Sequence, residues 1–177
     1  MRWLTIILCY IILISCNGSQ NTTSTGKKVA DFIENDIINP HIVITRGEQR
    51  VVEANSMRLL KSPDEDALLV GNVKADFFNE EGLHMSVMYS DSAEINELTS
   101  NLNAKGNVIV VSDSGFVLRT QHLLWDNQYK LVTTDDSVMF TTSGRDTLFG
   151  IGFESDMDLT HYKVIKPHGI TRQRGGK

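Results

Sequence analysis

Cysteine is nearly missing from this chain. There are two in 177 residues, Cys9 and Cys16, and both lie near the start. That excludes a disulfide scaffold and any multi-cysteine zinc site in the folded body. Proline is scarce too, with only Pro40, Pro63 and Pro167, so long stretches can run as unbroken secondary structure. Basic residues are outnumbered, 17 Lys plus Arg against 22 Asp plus Glu, for a net charge of −5. An acidic chain without clustered cations is a poor partner for nucleic acid phosphates. The short tail Arg172, Arg174, Lys177 is too small to change that. No helical apolar stripe longer than two turns follows Pro40. There is no Gly-x-x-x-x-Gly-Lys-Ser/Thr loop and no Gly-x-Ser-x-Gly elbow. No catalytic residue and no cofactor is therefore expected.

What is present begins with an address. Met1-Arg2-Trp3 precedes the apolar run Leu4 to Ile14. That run is too short for the roughly 20 residues of a spanning helix and fits a secretory signal peptide. It ends in Leu13-Ile14-Ser15-Cys16, which resembles the bacterial lipobox. The resemblance implies that residues 1–15 are removed and Cys16 is acylated; the competing reading is a general signal peptide that happens to contain a cysteine. Two or more acyl chains anchor a protein stably. Residues 17–28 contain no apolar side chain and read as a flexible tether. Val29, Phe32, Ile33 and Ile37 then follow helical spacing, stopped by Pro40. Residues 16–40 are thus expected to be an acylated start, a tether and a short helix.

From His41 the period changes to two. Ile42 and Ile44 alternate with Val43 and Thr45; Val73, Ala75 and Phe77 alternate with Lys74, Asp76 and Phe78. Leu83, Met85 and Val87 alternate with His84, Ser86 and Met88, and Val108, Val110, Phe116, Leu118, Val138 and Phe140 continue the pattern. The turns Asn79 to Gly82, Ser112 to Gly115 and Ser143 to Asp146 punctuate it, which is the mark of half-buried strands. Gly71-Asn72-Val73 returns 35 residues later as Gly106-Asn107-Val108, and Asp136-Ser137-Val138 sits 30 further on. Repeats of this length mean stacked units that bury one continuous face. The body, residues 41–168, is therefore all-β, with a flexible basic tail at 169–177.

The face predicted to point inward holds Val73, Ala75, Phe77, Leu83, Met85, Val87, Val108, Val110, Phe116, Leu118, Val138 and Phe140, without a charge. The opposite face carries Lys74, Asp76, His84, Ser86, Arg119 and Thr141. Composition does not separate a sealed core from an open apolar groove.

Ala104 to Gly115 resembles the repeat of lipopolysaccharide-transport proteins, and Leu118 to Asp126 resembles its continuation. Asp146 to Asp156 is similar to the C-terminal repeat of the LptC family, the periplasmic bridge component of the lipopolysaccharide export ABC transporter. The resemblance spans roughly residues 40–170. It implies a twisted, boat-shaped β-jellyroll of antiparallel strands around an apolar interior groove. Val73, Phe77, Met85, Val87, Val108, Val110, Phe116, Leu118, Val138 and Phe140 would line that groove. It implies lipopolysaccharide as ligand, and the inner-membrane transporter and a periplasmic LptA-like bridge protein as partners. The two sheet ends would be strand-addition edges, Ile42 and Ile44 at one and Leu148, Gly150, Ile151 and Phe153 at the other. A lipid anchor would replace the spanning helix of the better-known form, on the periplasmic side, at the inner membrane rather than the outer.

Other chemistry is weakly supported. Histidines 41, 84, 122, 161 and 168 show no metal-ligand spacing. Asp64-Glu65-Asp66 reads as a solvated acidic turn, and Asp135-Asp136 as a turn rather than a glycosidase pair, since strand neighbours point to opposite faces. Trp125 with Tyr129 could stack on a sugar or close a core rim. A carrier of the same superfamily, or a surface-anchored β-solenoid acting on polysaccharide, are the competing functions.

Overall fold

The computed structural model describes residues 35–61 and 66–168. The leader, Cys16, the tether, residues 62–65 and the tail from 169 lie outside the described residues. Eleven strands form one antiparallel sheet: β1 Asn35–Ile38, β2 His41–Arg46, β3 Gln49–Asn55, β4 Arg58–Lys61, β5 Ala67–Phe78, β6 His84–Ile95, β7 Leu102–Ser112, β8 Val117–Asp126, β9 Leu131–Thr141, β10 Thr147–Asp156 and β11 Tyr162–His168. From β5 onward each strand pairs with the next in sequence. The expected all-β, jellyroll-like sheet is what forms.

The three predicted turns close hairpins. Gly82 N–H donates to the Asn79 carbonyl at 3.0 Å, Gly115 N–H to Ser112 at 3.0 Å and Arg145 N–H to Thr142 at 2.9 Å. The other edge of β5 is divided. β4 pairs with Leu68 to Val70, and β3 with Lys74 to Phe77. β1 extends β4, and β2 extends β3. Asn35–Ile38 is therefore a strand, so Ile37 does not sit in the expected helix; Val29, Phe32 and Ile33, the rest of that pattern, lie outside the described residues. Four residues pairing with β4 outweigh a weak helical pattern.

The strands bend in mid-course. Gly71 and Asn72 have φ of 80° and 48°, and Gly106 and Asn107 have 79° and 47°. The ladder register shifts at both places. Asp91 lies between the two pairs, and Asn107 Nδ2 donates to Asp91 Oδ2 at 2.8 Å. A Cβ on Gly106 would overlap the Asp91 carboxylate, so glycine is required there. Gly152 (φ 81°) marks the corresponding bend of β10. The Gly-Asn pairs are thus corners inside long strands, not the strand starts that the repeat suggested. Two consecutive left-handed residues satisfy a tight turn and a strand corner equally well.

These corners fold the sheet onto itself. Phe77 aligns across the ladders with Ser86 and Ser112, whereas Trp125 aligns with Leu102, Ile95 and Ala67 at the strands' other ends. Yet the Phe77 and Trp125 rings meet edge to face at 5.3 Å. Phe140 likewise meets Phe153, from the opposite side of a corner, at 5.0 Å. One layer contributes Val73, Ala75, Phe77, Met88, Val108, Val110, Leu118, Val138 and Phe140 to the core. The other contributes Leu69, Ala93, Leu102, Ala104, Leu123, Trp125, Val132 and Phe153. Burial of this shared interior, at about 25 cal/mol per Å² of apolar surface, holds the layers together.

Candidate functional site: an apolar mouth between two layers

At one end the layers do not close. The β5–β6 turn, the end of β2 and the start of β3 come from one layer. The β8–β9 turn and the end of β10 come from the other. Between them is a cavity of about 370 Å³. Val51, Phe77, Met85, Trp125 and Met157 form its apolar wall. All except Met85 are buried, so the wall is continuous with the core. Arg46, Glu80, Asn127, Lys130 and Asp156 make the rim. Trp125 closes the core rim, the second of the two roles its sequence context allowed.

Two polar ties cross the mouth. Arg46 Nη2 donates to the Asn127 carbonyl and, at 2.7 Å, to Asn127 Oδ1. Lys130 Nζ pairs with the Glu80 carboxylate. The hydrogen bond from Lys130 holds the Glu80 carboxyl below its ordinary value. Beside the rim, the Arg50 guanidinium lies 3.8 Å over the Phe78 ring. Burial pushes the Asp156 carboxyl up, but hydrogen bonding with Asp158, His161 and Ser155 outweighs it, and the net shift is downward. Asp156, Asp158 and His161 place ligand atoms within 4.8 Å of one another. Their oxygens accept from Thr160 and His161 N–H groups, which makes the cluster the cap of the β10–β11 loop.

The expected groove residues divide into three sets. Val73, Phe77, Val108, Val110, Leu118, Val138 and Phe140 face the interior and are almost wholly buried. Met85 and Phe116 are half-buried and pack against that core. Val87 lies on the other side, because Ser86 and Met88 are the buried members of β6. Two serines occupy interior positions there, Ser86 and Ser90, so hydropathy alone put β6 in the wrong phase. Ser86 therefore moves from the outer face to the inner one. Leu83, expected inside, is 59% exposed in the hairpin turn.

The edges also need correction. Ile42 and Ile44 lie on β2, which among the described residues pairs with β3 alone, although the Ile44 side chain turns into the core. Leu148, Gly150, Ile151 and Phe153 lie on β10, which is paired on both sides, with β9 and with β11. Among the described residues the outer strand at that end is β11. Gly150 and Gly152 admit the chain's own Val164 and Ile165, not a partner's backbone. The signal for β11 was weak: Lys163, Lys166 and Pro167 break its apolar alternation. Arg46, Val51, Asn127, Lys130 and Met157 had no individual signal in the sequence, because the mouth forms from turns far apart in the chain.

A model of the LptC-related lipopolysaccharide-assembly proteins matches residues 5–166. The chain belongs to that family. LptC-family membership makes it a component of lipopolysaccharide transport, acting on the periplasmic side of the inner membrane. A search of curated proteins finds no match to this sequence.

Proposed function

We propose that this LptC-family chain is a lipid-anchored periplasmic protein that receives lipopolysaccharide from the inner-membrane ABC transporter and passes it to an LptA-like periplasmic bridge protein. One observation carries the reading: an apolar cavity opens between the two layers, its wall continuous with the buried core and its rim made by Arg46, Glu80, Lys130 and Asp156. Acyl chains entering there leave water, and each apolar Å² covered contributes about 25 cal/mol. Arg46 and Lys130, set among the carboxylates of Glu80 and Asp156, are the rim groups that can hydrogen-bond the anionic end of such a lipid. Cys16, acylated, holds the domain at the membrane, and Asn17 to Lys28 lets it reach the transporter. The free edges of β2 and β11 add strands from the two protein partners.

A photo-crosslinking amino acid at Phe77 or Met85 should trap lipopolysaccharide, while the same group at Arg119 on the outer face should not. Thermal unfolding is followed in parallel, so that only variants with a preserved melting temperature are compared. Equal trapping at Arg119 and Phe77 would sink the proposal.

A further inference from the structure

The interior contains hydroxyl groups, and most are spoken for. In the layer that holds Phe77, Ser90 Oγ donates to the Ser92 carbonyl at 2.9 Å. Ser112 Oγ accepts from Phe116 N–H at 3.2 Å, and Thr120 Oγ1 donates to the Ser137 carbonyl at 3.2 Å. Ser86 differs. It is fully buried, and its Oγ is the one buried side-chain oxygen or nitrogen among the described residues without a hydrogen-bond partner. A buried hydroxyl left unpaired is costly, whereas alanine at the same place would not be. Its position suggests what satisfies it. Ser86 pairs across the ladder with Phe77 and follows Met85 in sequence; both neighbours line the mouth, and Ser86 lies directly behind that lining.

We propose that Ser86 is a specificity-determining residue of the acyl-chain site, its hydroxyl hydrogen-bonding an oxygen carried on the chain itself, a hydroxyl or an ester carbonyl. The inference rests on the reading that acyl chains enter the mouth. Phosphate and carboxylate are poor partners at this depth, because a charge beside Phe77 and Met88 would be stranded in apolar surroundings. A neutral oxygen near the charged end of a fatty chain meets both demands. The charged end stays at the rim, where Arg46 and Lys130 exchange their ties to Asn127 and Glu80 for it, and the oxygen reaches Ser86. A plain hydrocarbon would leave Ser86 unpaired, so the site discriminates by what the chain carries.

The test is displacement of a dansylated undecanoic acid from the purified full chain by dodecanoic, 3-hydroxydodecanoic and 3-acetoxydodecanoic acids. Wild type should bind at least one oxygen-bearing acid about fivefold more tightly than dodecanoic acid, the effect of one net hydrogen bond. Whichever acid is preferred identifies the oxygen as hydroxyl or ester carbonyl. Ser86→Ala should bind all three equally, with its affinity for dodecanoic acid unchanged and its melting temperature no lower than wild type. Binding of all three acids with no preference in wild type would overturn the Ser86 role and leave the mouth as an acyl site. No binding of any acid would overturn both. A melting temperature lowered by several degrees in Ser86→Ala would show that the hydroxyl already has a structural partner, and the inference would fail.

Discussion

The two ends of the sheet are built differently. At the C-terminal end a single strand, β11, closes the stack, pairing with β10 from Phe149 to Ser155. It is seated by packing: Tyr162 sits 4.3 Å from the Phe140 ring and 6.4 Å from Phe153, and Gly150 and Gly152 make room for Val164 and Ile165. Its outward character is basic, with Lys163, Lys166 and His168, and Pro167 interrupts it. At the N-terminal end the sheet forks into two short edges, β1 and β2. β1 has four exposed residues, including Ile37 at 50% and Ile38 at 74%, and one ion pair between Asp36 and Arg58. One edge is held by the core, while the other is held by little more than its ladder. Opposite ends of an open sheet can thus present different surfaces to different neighbours, which gives the stack a direction.

The sharpest way to break that contrast is at Gly150. Its φ is unremarkable, so the demand for glycine there is purely steric. A Cβ would overlap Val164 Cγ1 and lie 3.1 Å from the Lys166 carbonyl oxygen. Gly150→Ala should therefore push β11 off β10 at a cost of about 2–3 kcal/mol. The readout is a lower melting temperature together with faster amide exchange across residues 162–168. A variant that melts like wild type would show that β11 is not seated as described. No substitution in β1 should have a comparable effect on global stability.

Much of this architecture was legible in the residues, and the failures have physical reasons. Alternation marked β2 and β5 to β9 as strands and gave the inward face of β5, β7, β8 and β9, because large apolar side chains mark those positions. It failed on β6, where Ser86 and Ser90 lie inside and Val87 lies outside. Gly71-Asn72 and Gly106-Asn107 were visible as special, but not as corners, since a tight turn makes the same conformational demand. The mouth was the least legible part. Arg46 and Asn127 are 81 residues apart and meet only after the sheet folds over. Trp125 was the one member whose rim position its context suggested.

A proline can sharpen the contrast at the C-terminal edge without unfolding it. Pro167 lacks an N–H, so in an outer strand its nitrogen is tolerated only toward the free side. β11 itself carries no bulge, since the register shift lies at Gly152 of β10. Ile165, two residues back, therefore presents its N–H outward as well. Ile165→Pro should remove an outward donor, leave the β10 ladder intact and reduce capture of the bridge protein by about tenfold in a pull-down. Binding to the transporter, which we propose takes place at the β2 edge, should persist. Unchanged capture of the bridge protein by a folded Ile165→Pro variant would remove β11 as its docking edge.

The smallest expected effect lies at the N-terminal edge. The Arg58 guanidinium donates to Asp36 at 2.6 Å and 3.1 Å, and this holds the Asp36 carboxyl below its ordinary value of 3.8. A depressed carboxyl contributes to stability above its unfolded value and loses that contribution as pH falls through its folded one. β1 should therefore keep its amide protection from neutral pH down to the ordinary value, and begin to lose it only below. Both side chains are largely in water, so the pair is screened and weak. Asp36→Asn should leave the melting temperature unchanged and speed exchange at Ile37 and Ile38 slightly. Raising the salt to about 1 M should reproduce that change in wild type, because the screening length there is shorter than the side chains. If Asp36→Asn instead lowers the melting temperature by several degrees, β1 belongs to the cooperative core, and the two ends of the sheet are more alike than their packing implies.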